Sequence, residues 1–297
     1  MTDLQTLLAD LHNASEQVRK RAADALGESN DVRAVDDLLV AAVSDPIERV
    51  KQSAEDALVK LGEPALDGLL ITLHNPNVEL RKKVVHLLGR MKYPRSIDGL
   101  LEALHDPDKY VRSNAAQSLG MSRHPHTIEN LLEALHDAEW MVRQRAATAL
   151  GQIGDKRAVD GLLALLGDSQ EEVRNSAVSS LGFIRDTRAL DGLVAMLHDE
   201  RPGVRDSAVY ALGKLKDARA VDSLLTALHD EDEYIRDRAI TMLGELGDTR
   251  AVDALVIMLN DPEYNVRQSA ADALTRIGTP EALAAVEAWE QEQSKKK

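Results

Sequence analysis

A valine–arginine pair returns along this chain at a nearly constant interval, and that interval limits the fold more than any other feature. The pair or a close variant stands at Val18-Arg19, Val50-Lys51, Leu80-Arg81, Val111-Arg112, Val142-Arg143, Val173-Arg174, Val204-Arg205, Ile235-Arg236 and Val266-Arg267. Its basic members are separated by 32, then 30, then uniformly 31 residues. Self-similarity at such a period belongs to repeat architectures, in which each unit buries its apolar face against its neighbours and not within itself.

Two helical patterns fit inside each period. In residues 142–166, Val159, Leu162, Leu163 and Leu166 share one face of a helix, designated A. The second helix, B, carries the valine–arginine pair, and Val142, Ala146, Ala149, Leu150 and Ile153 mark its buried face. Gly154 follows, where a left-handed residue commonly ends a helix. An Asx residue followed by proline, as in Asp45-Pro46, Asn75-Pro76, Asp106-Pro107 and Asp261-Pro262, reads as the start of helix B. Residues 1–13 supply the first helix A, and Thr279-Pro280-Glu281 opens a last helix that covers the end of the stack. The expected fold is all-α: a right-handed α-solenoid of about nine two-helix repeats plus a C-terminal capping helix. It forms a single domain over residues 1–297, with a capping repeat at 1–30 and a capping helix and tail at 279–297. The turns between B and A depart from the common Asp-x-Arg pattern over residues 60–128, which marks that stretch as the irregular one.

Composition narrows the function. The net charge of −14 disfavours a general nucleic-acid binder, which needs a surplus of Lys and Arg against phosphates. Cysteine is absent, so disulfide and thiolate chemistry are unavailable. No apolar stretch approaches bilayer length, so a cytoplasmic protein with no membrane partner is expected.

The pattern D-P-x-x-x-V-R-x-x-A-A-x-A-L-G-x-I-G-D-x-R-A-V-x-x-L-L-x-A-L, met in register along almost the whole chain, resembles the HEAT-like repeats associated with phycobilisome lyases. The resemblance implies that helix B lines the concave side and that an Asp–Arg ladder joins neighbouring repeats. By position the ladder would use Asp45, Asp106, Asp137, Asp168, Asp199, Asp230 and Asp261 with Arg112, Arg143, Arg174, Arg205, Arg236 and Arg267; Asn75 and Lys51 depart from it. It also implies a bilin lyase or isomerase subunit, with a phycobiliprotein or bilin as partner, as an alternative function. A HEAT-like repair protein binding nucleic acid is a weaker alternative, kept by Lys82, Lys83 and Lys109 with Trp140 nearby. The deoxyhypusine hydroxylases, HEAT-repeat enzymes with a di-iron centre, use His-Glu pairs on helix B, and no B helix here carries one.

Other candidate constellations have structural readings. His12, His74, His105, His136, His198 and His229 occupy one repeat position at the end of helix A, where a helix C-terminus favours a cationic imidazole. Copies about 10 Å apart cannot share one ion bound at about 2 Å. His124 and His126 flank Pro125 in a turn. Asp67, Asp98, Glu129, Asp160, Asp191, Asp222 and Asp253 fall in the first turn of helix A, where the dipole favours negative charge. No phosphate loop or nucleophile elbow occurs, so no catalytic residue, metal ligand or cofactor is assigned.

Positions shared by all copies build a solenoid, and positions that vary carry recognition. The variable positions of helix B include Tyr110, Trp140, Met141, Tyr210, Tyr234 and Tyr264, residue types enriched at interface centres. Lys82, Lys83, Lys109 and Arg145 lie on the same set, which is mildly basic through Thr148 and acidic beyond it. These ten residues are the expected partner-binding surface of a non-catalytic scaffold for a protein or peptide, with Tyr110 and Trp140 as anchors beside Lys109 and Arg145.

Overall fold

The computed structural model describes residues 3–295. Among the described residues there are nineteen α-helices and no strand. They fall into two compact units, Met1–Ala149 and Leu150–Lys297. In the first unit the A helices Leu4–Asp10, Val35–Ser44, Leu66–Thr72, Pro94–Ala103 and Ile128–Ala134 alternate with the B helices Glu16–Glu28, Glu48–Leu61, Val78–Met91 and Lys109–Ser122. A fifth B helix, Trp140–Ile153, carries the boundary between the units. In the second unit the A helices Val159–Ala164, Leu190–Ala195, Ala220–Ala227 and Val252–Met258 alternate with the B helices Glu171–Ile184, Pro202–Leu215, Glu233–Leu246 and Tyr264–Ile277, and Pro280–Lys295 closes the order. The nine expected pairs and the final helix are all present.

The core of each unit follows the apolar period. On Glu171–Ile184, Val173, Ala177, Val178 and Leu181 are inaccessible to solvent, as are Leu162 and Leu193 of the flanking A helices. Each such Val or Leu contributes about 1.5–3 kcal/mol on burial. The small residues serve a second purpose. A β-carbon placed on Gly182 would lie 2.8 Å from the Ala211 Cβ and 2.9 Å from its Cα, so consecutive B helices cross in near backbone contact. The same crossing joins Gly27 to Ala57, Gly89 to Ser118 and Gly244 to Ala273. In the last helix, Ala282, Val286 and Trp289 turn inward, which gives the terminal repeat its cover.

Every B helix is followed by one residue of positive φ: Gly62, Gly154, Gly247 and Gly278, and at the equivalent position Asn30, Lys92, Arg123, Arg185 and Lys216. Lys92, Arg123, Arg185, Lys216, Gly247 and Gly278 are left-handed helical, whereas Gly62, with ψ −147°, is not. The positive φ expected at Gly154 thus recurs in all nine copies, although only four of them use glycine.

The start of helix B requires a correction. Asp45-Pro46, Asn75-Pro76, Asp106-Pro107 and Asp261-Pro262 do not begin it: the helices open at Glu48, Val78, Lys109 and Tyr264. The Asx side chain instead accepts the amide two residues on, as Asp45 does from Ile47 and Asp261 from Glu263, which closes a turn between A and B. True N-cap side chains come later, at Asn77, Asp108 and Asp232.

Candidate partner-binding surface

The residues common to the repeats are committed to one another. Arg112 donates from Nε and Nη2 to the carboxylate of Asp137 at 2.7 and 2.9 Å, while its Nη1 donates to the Asp106 carbonyl at 2.9 Å. One guanidinium thus ties the turn of its own repeat to the Asx residue of the next. The same fork joins Arg174 to Asp199, Arg205 to Asp230 and Arg236 to Asp261. It also joins Arg19 to Asp45 and Arg81 to Asp106, two rungs the family pattern had not assigned although both arginines belong to the period. At Asp137, Asp230 and Asp261 burial pushes the carboxyl up, but the arginine fork and the Asx-turn amide pull it down further, and the net pKa lies below the usual value.

The departure at Lys51 and Asn75 is visible in the contacts. The Lys51 ammonium lies 3.7 Å from Glu48, and the Asn75 side chain accepts from the Asn77 amide at 2.8 Å. Lys51→Arg combined with Asn75→Asp should supply a bidentate rung there. A gain of about 1 kcal/mol in unfolding free energy is expected, read as a higher urea midpoint, and each single change should give less.

A second inter-repeat tie lies in the turns. Asp186 caps the turn by accepting from the Arg188 amide, and Arg188 returns its side chain to that carboxylate, to the Lys156 carbonyl at 2.8 Å and to Asp160 at 3.2 Å. Arg250 repeats this on Asp248, Ala218 and Asp222. In the equivalent turn Arg219, hydrogen-bonded through its side chain and its amide, lowers the Asp217 carboxyl to about 2. Part of the helix-A carboxylate row is therefore engaged by arginines of the following repeat, an Asp-x-Arg partnership that sequence reasoning had treated only as turn variation. The histidine row lies exposed at the other end of helix A, with His74 Nε2 3.3 Å from Glu102 and His12 Nε2 3.7 Å from Asp37. Among the described residues no group of three or more His, Cys, Asp or Glu side chains is placed to hold a metal ion.

The variable residues behave differently. In the first unit Tyr110 is half exposed, and its ring centroid lies 5.7 Å from Lys82 Nζ and 5.8 Å from Lys109 Nζ. Trp140 and Met141 are partly exposed, with the Met141 carbonyl 3.5 Å from the Ser113 hydroxyl. The basic residues here are largely matched: Lys82 pairs with Glu79 at 3.0 Å and Lys109 with Glu139 at 3.3 Å. Lys83 pairs with Glu55, a buried carboxylate that Arg90 also reaches at 3.3 Å and His86 at 3.5 Å. Arg145 is exposed. The structure brings Tyr110, Lys82 and Lys109 together and draws Lys83 to Glu55; that cluster was missed because its members come from two repeats.

In the second unit Tyr210, Tyr234 and Tyr264 are 37%, 71% and 63% exposed. Lys214 Nζ and the Arg238 guanidinium lie 5.1 and 5.7 Å from the Tyr210 ring centroid, and Arg267 lies 5.6 Å from that of Tyr264. Arginine or lysine beside an aromatic face is attracted by the ring quadrupole, so Tyr210 and Tyr264 stand as braced, solvent-facing platforms.

HEAT-repeat family models match residues 4–72, 66–139, 128–213, 164–237 and 221–295, nearly the whole chain. This chain belongs to the HEAT-repeat family. No curated protein sequence matches it. Among solved structures, these HEAT repeats are similar to Escherichia coli YibA (25% identity, covering 89% of this chain and 98% of that one, TM-score 0.63). They share their fold with a chain from the structure of Kap95p with RanGDP (14% identity, 98% of this chain and 48% of that one, TM-score 0.67). The CpcE–CpcF complex of phycocyanin lyase from Nostoc sp. PCC7120 is also similar (22% identity, 75% of this chain and 92% of that one, TM-score 0.47). Among the described residues no helix of the HEAT stack is long and apolar enough to cross a membrane.

Proposed function

We propose that this HEAT-repeat protein is a non-catalytic interaction scaffold that holds a protein or peptide partner on its helix-B surface, the side the family pattern makes concave. The carrying observation is the division of labour among side chains. The apolar side chains shared by the repeats are buried and the ladder arginines are bound to a neighbouring repeat, whereas the varying tyrosines of helix B face solvent. Exposed Tyr beside Arg or Lys gives rigid contact area at small entropic cost, the composition of interface centres. The recurring histidines and carboxylates lie in inter-repeat contacts or in open solvent, which leaves recognition to the residues that differ.

Affinity capture from an extract of the source cell with quantitative mass spectrometry tests this reading. The wild-type chain should enrich at least one protein whose recovery falls about tenfold, the equivalent of about 1.4 kcal/mol, on Tyr110→Ala, Trp140→Ala or Tyr234→Ala. Glu133→Ala, on the exposed side of an A helix, should leave recovery unchanged. Identical recovery by all four variants, each with an unchanged melting curve, refutes the helix-B surface as the binding face.

A further inference from the structure

In the second unit one inter-helix position is filled from within the chain in one repeat and stands open in the next. Between the B helices Pro202–Leu215 and Glu233–Leu246, Asp206 receives both prongs of Arg238, Nε to Oδ1 at 2.8 Å and Nη2 to Oδ2 at 3.2 Å. The Tyr210 ring centroid lies 5.7 Å from that guanidinium. One repeat of 31 residues later Asp237 stands in the place of Asp206, but the place of Arg238 is taken by Ser269. The Ser269 hydroxyl donates to Asp237 Oδ1 and leaves the volume of an arginine stem and guanidinium unfilled. A cavity of about 320 Å³ opens there between Glu233–Leu246 and Tyr264–Ile277.

The walls of this cavity differ from those of the filled position in one direction. Pro202 and Gly203 become Glu233 and Tyr234 in the later repeat. Glu233, Asp237 and Glu263 line the cavity with the Tyr234 ring, and none of its described lining residues is Lys or Arg. Arg236, whose charge reaches Glu233 and Glu263, is bonded to Asp261, and Arg238, whose charge reaches Asp237, is bonded to Asp206. The three carboxylates of the lining thus leave room for a further cation. A second observation comes from the equivalent cavity two repeats earlier, about 290 Å³, where Asn175 replaces Asp237. Its Oδ1 is buried and accepts no hydrogen bond, so no donor reaches the Asp237 position from within the chain there either, although Arg201 lines the same cavity. Glu171, at the place of Glu233, is already held by Arg201 at 2.7 Å, so the positive charge is wanted at the later cavity.

We infer that the helix-B surface of the second unit docks an arginine-bearing segment of a partner protein, whose guanidinium enters the cavity at Asp237 as Arg238 does at Asp206. The fork lies on Asp237, Glu233 and Glu263 add charge from the rim, and the exposed Tyr234 ring offers a stacking face. Arginine is the fit, not lysine, because the filled repeat shows a planar two-pronged bond that an ammonium cannot make. The inference rests on the scaffold reading and adds the chemistry of the bound segment.

The chain itself supplies the sharpest variant. Ser269→Arg should plug the cavity from within, as Arg238 does one repeat earlier, without loss of fold. The probe is a fluorescein-labelled acetyl-Gly-Arg-Gly-Arg-Gly-amide peptide, followed by polarisation at low ionic strength, with its lysine counterpart for comparison. Wild-type protein should bind the arginine peptide with Kd on the order of 100 µM and the lysine peptide about tenfold more weakly. Ser269→Arg and Asp237→Asn should each weaken the arginine peptide about tenfold. Glu281→Gln with Glu287→Gln, exposed carboxylates on the last helix, should leave it unchanged. Absence of binding up to about 1 mM, equal affinity for the two peptides, equal affinity of Ser269→Arg and wild type, or an equal loss in the control variant each overturns the inference. If the peptide fails while the capture experiment shows a protein lost on Tyr234→Ala, the scaffold reading stands and only the arginine assignment falls.

Discussion

Arg174→Ala should lower the unfolding free energy by about 3 kcal/mol, the largest effect expected of a single polar truncation in this chain. Arg174 donates to Asp199 Oδ2 at 2.7 Å, to Asp199 Oδ1 at 2.9 Å and to the Asp168 carbonyl at 2.9 Å. The two side chains are only 10% and 6% exposed, so the pair sits where water replaces a lost partner poorly. Removing one member of a buried pair leaves the other charged and desolvated, which costs about 3–5 kcal/mol; the open edge toward Glu200, 3.9 Å away, places the effect at the lower end. Arg174→Lys should recover less than half, because an ammonium cannot bridge both carboxylate oxygens and the carbonyl. In the Arg174→Ala background Asp199→Asn should be nearly neutral or restorative: it removes the stranded charge and keeps an acceptor for the Arg201 amide, 2.9 Å away. A urea double-mutant cycle measures this, and an Arg174→Ala loss below about 0.5 kcal/mol would show the ladder to be ornamental.

Acid should act on the same bonds. The Asp199 carboxyl is held below its ordinary pKa, first by the Arg174 fork and then by the Arg201 amide, against the upward push of burial. A carboxyl with a depressed folded pKa contributes stability that is complete above its unfolded value near 4 and is lost as pH falls through the lower folded value. Asp45, Asp137, Asp230 and Asp261 shift in the same direction, so the melting temperature should fall steeply below about pH 4. That fall should be shallower in Arg174→Ala, which has already given up one rung.

How much of this could be read from the sequence depends on the range of the interaction involved. The helix pairs follow from the valine–arginine period and its apolar echoes, which are local, and the positive φ at Gly154 follows from glycine at a helix end. The start of helix B was misplaced because Asx-Pro is a strong local signal for a helix cap. In the fold the Asp45 and Asp261 carboxylates answer to an arginine of the preceding repeat, and the helix begins only after their turn closes. For the same reason the Glu55 cluster stayed hidden: Lys83, His86 and Arg90 reach it from the next B helix. On the candidate surface the exposure of the tyrosines was legible from their variable positions. Which basic residues are already matched was not, since Lys83 and Arg238 find their carboxylates one repeat away. The missing arginine opposite Asp237 emerges only when Asp206 and Arg238 are seen bonded, because then the period says what Ser269 replaces.

Gly182→Ala and Gly203→Ala should move stability in opposite directions, although both place a methyl group on a glycine within a B helix. Helix propensity alone favours alanine by about 0.5–1 kcal/mol at either site. At Gly203, in the first turn of Pro202–Leu215, an added β-carbon meets nothing within 4 Å, so that gain should be realised in full. At Gly182 the β-carbon would stand 2.9 Å from the Ala211 Cα, which is backbone and cannot turn aside. The crossing helices must separate, loosening Val178 and Leu181 against their neighbours along the whole contact. Overpacking of this kind costs about 1–3 kcal/mol, which exceeds the propensity gain, and Gly182→Val should cost more still. Ala211→Gly in the Gly182→Ala background should return part of the loss by removing the 2.8 Å contact between β-carbons, whereas the same Ala211→Gly change in the wild type should only destabilise. Paired thermal and urea melts of these variants decide the matter. If Gly182→Ala proves as stabilising as Gly203→Ala, the B helices do not cross in backbone contact, and the close stacking on which the ladder geometry depends would have to be abandoned.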